Sequence, residues 1–190
     1  KLDLDKIKEV KRQIIEAEVI LLQLEIPITS IEKIVEIAAV NNTKVILDPA
    51  PAQKLSDDIL REIDYLLPNE GELERLMGDN RFKSREEKVN FLLKKGVKNI
   101  IVTEGKKGVN FYSKDKSLHL KSLKVDAVDT TAAGDVFAGA FAAKLISDDD
   151  VKKALEFAVA AAAYSVTKKG AQSSIPDRDQ LNKFLQERGK

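Results

Sequence analysis

The sequence predicts an α/β fold, a mostly parallel sheet flanked by helices, and three observations predict it. Short, almost wholly apolar runs alternate with amphipathic stretches through the first half of the chain. Those runs lack the polar alternation of a half-exposed strand and read as strands buried on both faces, as in parallel sheets. Polar or proline-containing turns follow them, where the carboxyl ends of the strands would fall.

Residues 5–16 read as a helix, with Ile7, Val10, Ile14 and Ile15 spaced for one buried face. Val19 to Leu24 is the first buried strand, and Ile31, Ile34, Val35, Ile37 and Ala38 mark a second helix. Lys44 to Asp48 is a strand stopped by Pro49 and Pro51, and Ile63 to Leu67 is another, closed by Pro68. A helix from about Glu70 to Met77 ends at Gly78, a C-cap residue. Ser84 and Glu87 form a capping-box pattern ahead of the helix carrying Val89, Leu92 and Leu93. Asn99 to Thr103 is the fourth strand, and Gly108 to Leu120 reads as a hairpin-like pair. Helices near 135–146, 150–168 and 177–187 complete the chain. Strands alternating with helices argue for a parallel sheet covered on both faces. With no internal repeat, low-complexity tract or linker, residues 1–190 are expected to be one domain, or part of one. The chain opens at Lys1 rather than Met and runs at once into Asp3 and Asp5, which suggests a piece of a longer protein.

Composition narrows the function classes. At 190 residues and 43% hydrophobic content the chain is long enough for one substantial core. Its 32 Lys and Arg nearly cancel 31 Asp and Glu, and the charges are interspersed. There is thus no basic face for nucleic acid and no acidic tail. The absence of Cys excludes disulfides, thiol nucleophiles and thiolate metal sites. His119, the single His, excludes a multi-histidine metal centre and sits in an alternating strand-like pattern. No signal peptide or long apolar run is present, so no membrane partner is expected and a cytoplasmic location is the default.

Five polar features fall where the carboxyl edge of the sheet should lie: Glu25, Asp48, Asn69 with Glu72, the loop Thr103-Glu104-Gly105-Lys106-Lys107-Gly108, and the turn from Asp129 to Asp135. Ordinary structural roles compete for each. Glu25 before Ile26-Pro27 reads equally as a solvated turn residue, and Asn69 with Glu72 as a helix cap and its partner. The glycines of the Thr103–Gly108 loop suit a plain turn. In the last feature, Ala132, Ala133 and Gly134 leave the backbone bare where a helix begins, and its first N–H groups there favour an anion. Asp135 beside that nest is either a dipole-stabilised first-turn carboxylate or a base for a hydroxyl attacking phosphorus.

The DTTAAGD turn, the NEGE after a strand and proline, the TEGKKG loop, the DPAPA strand end and the late KKGAQSSIP together resemble the ribokinase family of carbohydrate and nucleoside kinases. The resemblance runs from about Ile20 to Pro176. The LQLEIP, DPAPA and KKGAQ stretches point to its ribose-phosphorylating branch rather than to fructokinases or adenosine kinases. It implies a Rossmann-like three-layer fold and ATP-dependent phosphorylation of the primary hydroxyl of a sugar, D-ribose in the first place. Asp135 would be the general base. Ala132, Ala133 and Gly134 would hold the transferred phosphoryl group. Asn69 and Glu72 would organise Mg²⁺ and the phosphates, through water in view of the ion's reluctance to dehydrate. Thr103, Glu104, Gly105, Lys106, Lys107 and Gly108 would border the ATP, and Glu25 the sugar. A monovalent cation, usually K⁺, maps to Asp129, Thr131, Ser165, Lys168, Gly170 and Ser174, mostly through main-chain carbonyls.

The same resemblance implies an earlier segment, with the first strands, a β lid that covers the sugar and makes a homodimer, and a diglycine sugar-binding motif. No stretch of this sequence matches it. Sugar affinity is therefore expected to be poor, and an apolar strand is expected to be left at a sheet edge. Two further readings stay open: a nucleotide-binding piece without catalysis of its own, and a related fructokinase or nucleoside kinase. A dehydrogenase lacks its G-x-G-x-x-G, and a P-loop enzyme its G-x-x-x-x-G-K-[ST].

Overall fold

The structure, a computed structural model, describes residues 2–78 and 82–188, so Lys1 lies outside the described residues. The chain forms two compact units, Lys1–Thr103 with Asn110–Leu118, and Glu104–Val109 with His119–Lys190. Its strands make a six-stranded sheet in the sequential order β1 to β6. These are β1 (Val19–Gln23), β2 (Lys44–Asp48), β3 (Tyr65–Leu66), β4 (Asn99–Thr103), β5 (Val109–Ser113) and β6 (Ser117–Leu120). The first four pair in parallel, with Val19 opposite Lys44, Ile46 opposite Tyr65 and Tyr65 opposite Asn99.

In the first unit, helices α1 (Leu4–Glu9), α2 (Lys11–Glu16), α3 (Ile28–Val40), α4 (Asp57–Arg61), α5 (Glu70–Met77) and α6 (Arg85–Lys94) accompany the strands. The helix expected over residues 5–16 is broken at Val10, whose backbone (φ −97°, ψ 10°) leaves the helical region. Ile7 and Ile14 on its two halves still reach one core, which also holds Ile31, Val45, Leu47, Ile59, Ile63, Leu66, Leu92 and Ile100. Full burial of each such aliphatic side chain stabilises the fold by about 1.5–3 kcal/mol. β2 and β4 are as apolar and buried as their sequences require. β1 differs from the expectation of a strand buried on both faces: it stands at the sheet edge, and Leu21 is 39% exposed. An apolar edge strand is what the resemblance anticipates.

The caps explain where the helices begin and end. Asn69 and Glu72 close a full capping box on α5, and Gly78 ends that helix at φ 66°. Ser84 caps α6 through Glu87 N–H, but the Glu87 carboxylate reaches the N–H of Lys83, not that of Ser84. Only half of the box expected from the sequence forms.

The second unit is helical. α7 (Ala133–Asp148) and α8 (Val151–Ser165) are joined by a two-residue turn with Asp149 at φ 47°, and α9 (Arg178–Gln186) follows. α8 buries Ala154, Ala158, Ala160, Ala161 and Ala163, small side chains that permit a close approach, while α7 buries Val136, Phe137, Phe141 and Leu145. Val136, Ala160, Ala161, Leu181 and Phe184 share one cluster.

Candidate active site

In the second unit, the segment ahead of α7 forms a turn whose conformation is set at Ala132. Its backbone is left-handed (φ 60°, ψ 11°), and the helix begins at the next residue. For an L-residue this conformation costs about 1–2 kcal/mol. A left-handed residue followed by helical ones aims successive N–H groups into one concavity, a nest for anions. Ala133 N–H is turned back onto Thr130 O at 3.3 Å, a long bond. The amides of Ala132 and Gly134 have no hydrogen-bond partner among the described residues and are the donors left for a ligand. A Cβ at Gly134 would meet no atom within 4 Å beyond its chain neighbours and its own helix backbone. Asp135 is exposed in the first turn of α7, on the helix end where a negative charge is favoured.

Asp129 organises the approach to this turn. One carboxylate oxygen accepts Thr131 N–H at 2.9 Å and the other accepts Gly170 N–H at 2.9 Å. Hydrogen bonds from the Gly170 amide, then from the Thr131 hydroxyl and amide, hold its carboxyl at about 2, well below the usual carboxylate value. Val128 and Asp129 N–H both donate to Val166 O, at 2.7 and 3.2 Å. The late loop is wound on the end of α8: Lys168 N–H bonds Ser165 O, and the Ser165 and Ser174 hydroxyls, each 1% exposed, donate to Ala162 O and Ala171 O. Lys168 carries its ammonium over the Tyr164 ring at 5.3 Å from the centroid, so any part it has in ion binding falls to its main chain. Among Asp129, Thr131, Ser165, Lys168, Gly170 and Ser174 the available donors are oxygens, one of them ionised, a set that fits a hard cation.

The loop after β4 belongs to the same unit from Glu104 on. Glu104 N–H bonds Gly108 O at 2.9 Å, closing a single 3₁₀ turn over Gly105–Lys107. Gly108 (φ 110°) passes so close to the neighbouring chain that a Cβ would overlap Leu120 O. Lys106 and Lys107 are exposed.

In the first unit, Glu25, Asp48, Asn69, Glu72 and Thr103 all fall at the carboxyl ends of β1 to β4. Glu25 is exposed in the turn after β1, which Leu24 N–H ties to Ala50 O at 2.9 Å. Asp48, 9% exposed, accepts a hydrogen bond from the Gln23 amide at 2.9 Å, a pairing across the β1–β2 register that the sequence reading does not find. A glutamine and an aspartate ending adjacent strands are the available signal. Asn69 bridges to Thr103, and its side chain and that of Glu72 are engaged in the α5 capping box. The box uses one Glu72 carboxylate oxygen, and a carboxylate has two. Among the described residues no group of three or more His, Cys, Asp or Glu is placed to hold a metal ion. That donor chemistry fits Mg²⁺ only through phosphate oxygens and water.

The first unit thus presents a parallel sheet with polar strand ends, and the second a left-handed turn that opens into a helix beside an aspartate. Residues 1–178 match the pfkB family carbohydrate kinases, and the chain belongs to that family. It is 43% identical to ribokinase of Haemophilus influenzae over 182 residues, covering 95% of this chain and 60% of that protein. It is 39% identical to a deoxyribokinase of Salmonella typhi, covering 88% and 56%. Among solved structures, Thermotoga maritima ribokinase superposes with a TM-score of 0.85 at 46% identity, covering 93% and 59%. Arabidopsis thaliana ribokinase, solved with ribose and ATP, superposes with a TM-score of 0.87 at 34% identity, covering 93% and 58%. The chain thus spans a little under two thirds of the length of each of these four relatives.

Proposed function

We propose that this chain carries the nucleotide-binding and catalytic-base part of a sugar kinase that phosphorylates the primary hydroxyl of D-ribose with ATP. The observation that carries the reading is the left-handed turn at Ala132, with the Ala132 and Gly134 amides unbonded among the described residues and Asp135 one residue beyond Gly134. Asp135 takes the proton of the sugar hydroxyl as that oxygen bonds to the γ-phosphorus, and the bond from phosphorus to the β-phosphate oxygen breaks to release ADP. The amides of Ala132 and Gly134, with Ala133 in the same turn, stabilise the charge on the transferred group. Asn69 and Glu72 would hold Mg²⁺ through water, and the ion would supply charge neutralisation at the phosphates. Glu104 to Gly108, after Thr103, borders the nucleotide, and Glu25 the sugar. Oxygen donors at Asp129, Thr131, Ser165, Lys168, Gly170 and Ser174 would hold a K⁺ ion, which would supply positive potential to the turn.

Family membership and relatives acting on ribose and deoxyribose support a pentose as acceptor. The full protein acts in the cytoplasm and pairs as a homodimer in this reading. A second reading, a nucleotide-binding piece that needs further chain for turnover, is favoured by the exposed apolar edge of β1. ADP release with MgATP and K⁺, measured without sugar and with ribose, 2-deoxyribose, fructose or adenosine, separates these. Release that depends on ribose supports the first reading, and release that follows 2-deoxyribose alone reassigns the acceptor. Nucleotide binding without release under any condition favours the second.

A further inference from the structure

In the second unit, the Asp129 side chain joins the turn before α7 to the loop after α8. Its two carboxylate oxygens are used in opposite directions, one by Thr131 N–H and one by Gly170 N–H, both at 2.9 Å. The main chain runs the same way, with Val128 and Asp129 N–H converging on Val166 O. Ahead of Gly170, the loop is tied back to the end of α8 by Lys168 N–H on Ser165 O. Thr131, the other end of the connection, precedes Ala132, a non-glycine residue held at φ 60°. A left-handed alanine persists only where its surroundings impose it, and the bonded Asp129–Thr131 turn immediately ahead of it is such an imposition.

We propose that Asp129 is a positioning residue for phosphoryl transfer: its carboxylate fastens the 166–170 loop to the phosphate turn and so holds Ala132 in the conformation that aims the turn's amides. The inference rests on the phosphate reading of that turn. It assigns Asp129 more than the cation contact implied by the resemblance, because the fastening is made by backbone amides and needs no ion.

Asp129→Ala and Asp129→Asn in the 190-residue chain test it by two readouts. The first is amide hydrogen exchange. In the alanine variant Thr131 and Gly170 exchange at least about tenfold faster, as expected for loss of a hydrogen bond to a charged acceptor, while Ala160 inside α8 keeps its rate. Asparagine retains one acceptor, and only one of the two amides is released. The second is steady-state ADP formation well below the melting temperature. The variants lose about tenfold or more in kcat, with ribose KM changed less than twofold and no recovery as K⁺ is raised. A residue that only supports the fold would lower the melting temperature and leave kcat in place. Wild-type exchange rates at Thr131 and Gly170 in the alanine variant overturn the proposal, as does unchanged kcat or its full rescue by K⁺. The wild-type chain reports on the phosphate reading separately. If it binds MgATP without turnover, a tenfold rise in the variants' Kd replaces the kcat criterion and an unchanged Kd overturns the proposal. If it does neither, the proposal falls with the reading.

Discussion

Gly134 and Gly139 both lie in α7, and alanine at each separates what the fold requires from what a ligand requires. Neither has an atom within 4 Å of where a Cβ would stand, and neither has a left-handed backbone. Glycine in a helix is less favourable than alanine by about 0.5–1 kcal/mol. Each substitution should therefore stabilise the chain by roughly that amount, raising the melting temperature by about 1–4 °C for a protein of this size. Their effects on function should diverge. At Gly134 the added methyl projects from the first turn, beside the amides assigned to the phosphoryl group, and should reduce ADP formation at least about tenfold, the equivalent of about 1.4 kcal/mol. At Gly139, more than a turn further along the helix, activity should stay within twofold. Thermal melts and steady-state ADP assays on both variants decide the matter. A Gly134→Ala enzyme that is more stable and fully active would refute the assignment of this turn to the phosphate. Loss of stability at Gly139 would refute the reasoning from open space.

Gly108→Ala should behave in the opposite way: the new Cβ meets main-chain atoms at Leu120 and Ser122, which cannot swing aside. A loss of about 3 kcal/mol or more in chemical unfolding is expected from the disallowed backbone and the overlap together. Asn69→Ala removes the cap of α5 and should cost about 1 kcal/mol in the same assay, and its nucleotide affinity then shows whether Asn69 does more than cap. The folded-state pKa of Asp129, about 2, lies below the ordinary aspartate value of 3.8. The stabilisation from its ionised form is therefore complete above about pH 4 and is lost as pH falls towards 2. Unfolding of wild type and Asp129→Ala should differ by a constant amount above that window, and the gap should narrow steadily as pH falls towards 2. A gap as large at pH 2 as at neutral pH contradicts the assignment.

Strands β2 and β4 are legible to the residue because uninterrupted apolar runs with proline or polar ends leave no competing period. For β3 the sequence predicts Ile63 to Leu67 and only Tyr65–Leu66 forms, although Ile63 O and Leu67 N–H still bond to neighbouring chain. The apolar composition of β1 identifies a strand but not its neighbours, so burial on both faces is an inference that the sheet edge does not meet. α4 escapes the sequence reading: Ser56 with Asp57 and Asp58 is a sound start signal, but five residues are too few for a periodic face. At the candidate site, the turn before α7 is visible as small residues between two aspartates, and its direction into a helix is right. The left-handed backbone is not visible, because alanine is a poor advertisement for it. Nor is the Asp129–Gly170 bond, since nothing local couples residues 41 positions apart. Asn69 and Glu72 illustrate the reverse case. Their spacing announces both a capping box and a phosphate motif, and the box is present.

The central claim is that Asp135 is the base of a phosphoryl transfer to a sugar hydroxyl. Asp135→Asn tests it most directly, with MgATP affinity and ribose-dependent ADP formation measured on the same preparation alongside wild type. The account predicts nucleotide affinity within about threefold of wild type and turnover reduced by about 10²–10⁴, the range that a positioned base contributes. An asparagine variant that makes ADP at the wild-type rate would contradict it.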